Sequence, residues 1–313
     1  MLGFVIRRLA SGVVLIVVLT SLTYLLLYLS GGDIARGILG QQATSETVAL
    51  KKQELGLDQP LLQRFGDWVS HALQGDLGSS WFTGQPVTDA ISSRLSVTLS
   101  LVIGATVLTA VVAVVLGIVA ATRRGWADRV VQVLAVLGFA VPGFLVALGL
   151  VLVFGINLGW FKPTGYTTLS ESPTGWLSSI TLPVIALSLG SIAGVAAQIR
   201  GSMIDALRLD YVRTLRSRGL SERRVVYKHV LRNAAGPALS VLAIQFVGLL
   251  GGAVIVEQIF AIPGLGGIAV GATAQRDIPL VMGLVLVMAV IVVLLNLVVD
   301  LLQGWLNPKV RRS

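Results

Sequence analysis

The chain has 313 residues, of which 55% are hydrophobic and only 12% charged, with a mean hydropathy of +0.86 and a formal charge of +9. That balance excludes an ordinary soluble domain. The absence of cysteine excludes disulfides and thiolate metal sites.

Six apolar runs, at about residues 9–29, 97–121, 130–154, 180–199, 234–256 and 278–301, are each long enough to cross roughly 30 Å of hydrocarbon as a helix. The first follows Arg7 and Arg8. It is too long for a signal-peptide core of about 7–15 residues and no Ala-x-Ala site follows it, so it is expected to stay as a span. Residues 30–96 then form a long segment with helix-compatible pieces at 49–55 and 61–73, broken by Asp58-Gln59-Pro60 and by the glycine- and serine-rich stretch 75–80. Such a segment is too organised for a plain connector and reads as a small helical cap outside the membrane. The third and fourth runs are joined by a Gly/Pro/Ser/Thr-rich loop, 155–179, whose Trp160 and Trp176 suit a membrane interface. Pro142, Pro183 and Pro237 are positioned to kink or start helices.

An even number of spans places both termini on one side. Counted by side, that face carries a net +12 and the other −3. Basic residues near span ends stay in the cytoplasm, so both termini and the basic loop 200–233 are expected to face inward. The charge is therefore a topology signal rather than a nucleic-acid footprint. The resulting expectation is an all-α polytopic membrane protein with six transmembrane helices. Its parts are residues 1–29, the extracytoplasmic segment 30–96, a five-helix core 97–307 containing the loop 200–233, and a cytoplasmic tail 308–313.

No chemistry of its own is visible in the chain. None of its lysines follows a glycine, so no G-x-x-x-x-G-K-[ST] nucleotide loop exists, and neither H-E-x-x-H nor G-x-S-x-G occurs. His71 and His229 are expected on opposite sides of the membrane and cannot share a metal. Polar groups within or beside the apolar runs are few. Gln198, Gln245, Glu257 and Asn296 are the candidates for a translocation path or gate, with Glu257 also readable as a helix anchor near a span end. The Gly190–Gly194 and Gly248–Gly252 pairs, each four residues apart, read first as helix-packing surfaces.

The polar island between the fourth and fifth runs is the most informative stretch. Residues 210–218 suit a short helix, Gly219 can adopt positive φ and end it, Ser221 is placed to cap the next helix, and Glu222 falls in that helix's first turn. A helix–turn–helix on the cytoplasmic surface can fit a cleft on a soluble partner and pass rigid-body movement to the attached spans.

Tyr211-Val212-Arg213-Thr214, Arg218-Gly219-Leu220-Ser221 and His229-Val230-Leu231-Arg232-Asn233 resemble the cytoplasmic coupling loop of binding-protein-dependent ABC importers. The rest of the chain is similar to the B-type permease subunit of their dipeptide/oligopeptide/nickel group. The likeness runs through Phe4–Arg8, Leu55–Pro60, Gly75–Ser79, Val141–Phe144, Val256–Phe260, Pro263–Gly266, Arg276–Pro279, Asp300–Leu302 and Asn307–Lys309. Leu215 stands where that loop usually has a small residue, and Ser30–Asp33 departs from the usual outer motif. The resemblance implies a type I importer permease paired with a second permease subunit, one or two P-loop ATPases that carry ATP and magnesium, and an extracytoplasmic substrate-binding protein. It implies no cofactor in this chain and no enzymatic activity of its own. Asp210, Tyr211, Arg213, Thr214, Leu215, Arg218, Gly219, Leu220, Ser221 and His229 would couple to the ATPase, with Tyr211, Leu215 and Leu220 as its cleft contacts. Short peptides are the cargo this group favours; nickel chelates or other small solutes are the alternatives. A self-sufficient carrier or channel is the competing class.

Overall fold

A computed structural model describes residues 2–30, 34–40, 42–123 and 125–306. The Gly31–Asp33 part of the outer motif, Arg124, Asn307–Lys309 and the tail 308–313 lie outside the described residues. Among the described residues the secondary structure is helical, apart from one isolated bridge between Ser79 and Pro86.

Among the described residues, five helices are long and apolar enough to cross a membrane. Candidate spans run over Val5–Leu29 within α1 (Leu2–Leu29), over α5 (Val87–Thr122), over α8 (Pro173–Leu207), over Glu222–Ile259 and over α13 (Ile278–Leu306). The third apolar run is not one straight helix. It comprises α6 (Trp126–Ala140), then α7 (Gly143–Leu150) continued by a π-helical stretch, Val151–Asn157, with a bend of 96° between the two halves. Pro142 explains the break, because it has no N–H to donate and its ring pushes the preceding residue out of the helical region. Val141 is accordingly extended, with φ −89° and ψ 120°. The six expected spans are thus five continuous helices and one broken pair.

Between α1 and α5 lie α2 (Ile34–Leu39), α3 (Ser45–Glu54) and α4 (Leu61–Leu73). Thr44 starts α3 by accepting the Thr47 N–H, with Glu46 in the first turn and Lys51 and Lys52 in the last, each on the side the helix dipole favours. The apolar side of α4 sets Phe65 against Tyr24 of α1, with ring centroids 5.2 Å apart. The remaining elements are α9 (Asp210–Ser217), α10 (Glu222–Arg224), a second π-helical stretch Val225–Val230, α11 (Leu231–Ile259) and α12 (Leu265–Gln275).

The chain divides into two compact units, with the divisions falling inside α5 and α13 and just before α12. The unit formed by residues 2–96 and 264–294 buries Leu77, Val87, Ile91 and Leu265 as its core. Asp277 is buried there, accepts the Ser80 hydroxyl, and takes the Trp81 N–H at 3.2 Å. Its neighbour Arg276 ends α12 in the left-handed region, φ 60°. The unit formed by residues 97–263 and 295–306 has α8 at its centre, packed against α6, α7 and α11. Its core joins Ala113 and Ile118 of α5 to Ile199 and Met203 of α8 and to Val212, Val225 and Val230 of the polar island.

Candidate coupling element and translocation cleft

The island folds as a compact turn seated on its own apolar base. α9 stops at Gly219, which has φ +78°. The Gly219 N–H donates to the Arg216 carbonyl at 2.9 Å and the Leu220 N–H to the Leu215 carbonyl at 3.3 Å, which satisfies carbonyls that a helix end leaves open. Ser221 is extended in the N-cap position, yet its side chain makes no capping bond. Glu222 lies in the first turn as expected and takes Arg216 in a fork, Nη2 at 2.5 Å and Nε at 3.0 Å, which bridges the turn from one helix to the next. Hydrogen bonding to Glu222 raises the Arg216 guanidinium above its ordinary range.

Sequence-predicted residues divide here into two faces. Tyr211, Leu215 and Leu220 are half-buried and pack against the unit's own core around Val212, which is fully buried. The Tyr211 hydroxyl also accepts the Asn233 side-chain amide at 2.9 Å. His229 is half-buried in the second π-helical stretch. Asp210, Arg213, Thr214, Arg218, Gly219 and Ser221 face solvent. The outward face is therefore polar and charged, while the larger apolar groups hold the turn to the spans. The π-helical geometry just after it is of a kind often found at functional sites.

The same unit holds a cleft of about 710 Å³ where α6 and α7 diverge beside α8 and α11. Its walls include Phe144, Leu187, Gly190, Ser191, Gln245 and Gly248. The polar groups are sparse: the Ser191 hydroxyl donates to Gln245 Oε1 at 3.3 Å. Of the four path candidates only Gln245 lines this space. Gln198 bonds Ser202 one turn along α8, at 3.0 Å. Asn296 is exposed on α13. Glu257 is buried, 1% exposed, and accepts the Thr98 hydroxyl at 2.6 Å, tying α11 to α5.

Within the glycine pairs, a methyl on Gly190 would stand 3.6 Å from the Gly138 carbonyl and one on Gly252 3.5 Å from Leu187 Cδ2, close helix approaches of the expected kind. A methyl on Gly248 would meet nothing within 4 Å, because that position opens onto the cleft. Packing within this chain does not explain Gly248. Sequence reasoning also passed over Asp128 and Arg200, which form a two-point ion pair between α6 and α8, with Nη2 2.7 Å from Oδ2.

Comparison with known proteins agrees with this arrangement. The family described as binding-protein-dependent transport system inner membrane component matches residues 113–312, and its N-terminal companion matches residues 1–102. A Brucella abortus (strain 2308) protein named as a peptide transport system permease is 41% identical over 312 residues, 99% of each chain. The glutathione transport system permease protein GsiC of Escherichia coli O6:H1 is 38% identical over 312 residues, again 99% of each. A solved inward-facing structure of the MetNI methionine ABC transporter matches with a TM-score of 0.57 at 16% identity, covering 70% of this chain and 97% of that one, which shows a shared fold. The chain belongs to the family of inner membrane components of binding-protein-dependent transport systems, and is a multi-pass permease subunit of an ABC importer.

Proposed function

We infer that this permease forms one half of the pathway for short peptides and is driven by separate P-loop ATPases that engage the outward face of the coupling turn. The observation that carries the coupling role is the rigid turn at Gly219, cross-braced by Arg216 and Glu222 and rooted by Val212 in the same core as α5 and α8. A push on such an element moves spans, because packed interiors transmit displacement rather than absorb it. The outward residues Asp210, Arg213, Thr214 and Arg218 are the contacts offered to the ATPase, while Tyr211, Leu215 and Leu220 hold the lever to its base.

Peptide cargo is supported by the names of the relatives at 41% and 38% identity. The volume of the cleft lies within the roughly 300–1,000 Å³ typical of small-molecule sites. Its few polar groups suit a permissive conduit, with selectivity residing in an extracytoplasmic binding protein. In this assembly a second permease completes the pathway, both termini lie in the cytoplasm, and ATP and magnesium belong to the partner subunits.

The test is to tag the chain, purify it gently from native membranes, and identify what accompanies it by mass spectrometry. Recovery of a second permease with one or two P-loop ATPases is expected. Finding it reproducibly alone, in a detergent that keeps known complexes whole, would favour a self-sufficient carrier. Uptake of labelled dipeptides by the reconstituted complex then tests the cargo.

A further inference from the structure

A second polar cleft, of about 510 Å³, lies where the spans α5 and α8 end and the coupling turn begins. Its floor is apolar: Ile118 and Ala121 from the last turns of α5, Leu207 from the end of α8, and Val226 from the stretch after α10. Its rim is basic. Arg123, Arg216 and Arg223 stand around it with a single carboxylate, Glu222, which Arg216 already holds. Arg123 and Arg223 are exposed and meet no carboxylate at ion-pairing distance among the described residues. Tyr227 lies at the same rim, 58% exposed.

This combination has a specific chemical complement. Two unpaired guanidinium groups attract a phosphodiester, to which arginine offers paired donors. Most of the floor is already packed, with Ile118 7%, Ala121 2% and Val226 5% exposed, so the apolar surface beside that phosphate comes from half-buried Leu207 and from the ring of Tyr227. A tyrosine there is amphipathic in the manner of residues at the headgroup level. An acidic side chain from a soluble partner would satisfy the arginines but would leave that apolar surface unused. We propose that this cleft binds the headgroup of an anionic phospholipid, its phosphate held by Arg123 and Arg223, and that the lipid thereby braces the base of the coupling turn. The placement of this face at the cytoplasmic surface rests on the importer reading above.

The test reads lipid retention directly. The chain, with whatever copurifies, is reconstituted into vesicles of phosphatidylethanolamine alone or mixed with phosphatidylglycerol, extracted, and weighed intact by native mass spectrometry. Because retention is read on the chain itself, its failure is separable from failure of the importer reading. The wild type is expected to retain phosphatidylglycerol from the mixed vesicles, and R123Q/R223Q to retain about tenfold less or lower still, following the attraction of each surface arginine for anionic lipid. R123K/R223K keeps both charges and is expected to restore most of the retention. R129Q/R208Q removes two exposed charges outside the cleft and is expected to retain lipid as the wild type does. Equal retention in R123Q/R223Q, or equal loss in R129Q/R208Q, would overturn the site. Binding of inorganic phosphate that needs the same arginines, without retained phosphatidylglycerol, would assign the cleft to a free anion instead. Hydrogen-exchange protection of 118–123 that follows ATPase assembly and ignores lipid would assign it to the protein interface.

Discussion

The backbone at Gly219 makes the sharpest single-residue prediction. Its φ of +78° lies in the left-handed region, where a β-branched side chain costs about 1–2 kcal/mol. Space is not the obstacle, since an added Cβ meets nothing within 4 Å. Gly219→Val should therefore leave insertion and abundance unchanged but misdirect the turn. Substrate uptake is expected to fall about tenfold, the equivalent of that ~1.4 kcal/mol, with binding-protein-stimulated ATP hydrolysis lost in parallel. Normal uptake at normal abundance would count heavily against the coupling role. Neighbouring residues show where local reading stops. The glycine is legible because one residue type suits one backbone conformation. Ser221 takes the N-cap position its residue type suits, without a side-chain bond, whereas the pairing of Glu222 with Arg216, six residues back, depends on a turn geometry the sequence does not display. Glu257 was legible as a gate candidate or helix anchor near a span end but not as the acceptor of Thr98, 159 residues away.

Helix pairs supply a contrast that separates packing from pathway. At Gly117 on α5 an added Cβ would stand 2.6 Å from Ile199 Cγ2 and 2.7 Å from Ile199 Cβ on α8. The second of these atoms is fixed close to the backbone, so the helices themselves must part. Gly117→Ala is expected to cost about 1–3 kcal/mol, read as a lower melting temperature and yield of the purified complex. Gly248→Leu projects into open space and should leave both near wild type, while narrowing the cleft and reducing uptake more than ATP hydrolysis. If Gly248→Leu instead destabilises the complex, that face packs against another subunit and does not line a path. Most spans were readable in the sequence because some twenty apolar residues in succession have one solution in a bilayer. Two features were not. α5 begins ten residues earlier than its apolar run, at Val87, since Asp89, Ser92, Ser93 and Arg94 are compatible with a helix that continues outside hydrocarbon. Pro142 announced a break, but the 96° bend depends on how each half packs against α8.

For the whole molecule, charge predicts an orientation and the lack of cysteine makes that testable. On the proposed topology the face with both termini carries +12 and the opposite face −3, an imbalance that predicts a cytoplasmic basic side. The family fixes a multi-pass inner-membrane protein, and its direction is a proposal from the charges. Because the natural chain has no thiol, a single introduced cysteine is the only reactive site for a maleimide. Leu73 at the end of α4 is 85% exposed, and Arg129 near the start of α6 is exposed as well. In intact spheroplasts a membrane-impermeant maleimide should label Leu73→Cys and spare Arg129→Cys; in inside-out vesicles the pattern should reverse. The opposite pattern would turn the whole chain over. It would place the turn at Gly219 outside, beyond the reach of any ATPase, and the coupling role would fall with it. Labelling of both positions from one side would mean that α5, the one candidate span between them, does not cross. The experiment therefore tests the crossing of α5 together with its direction, on which the inward placement of the coupling turn depends.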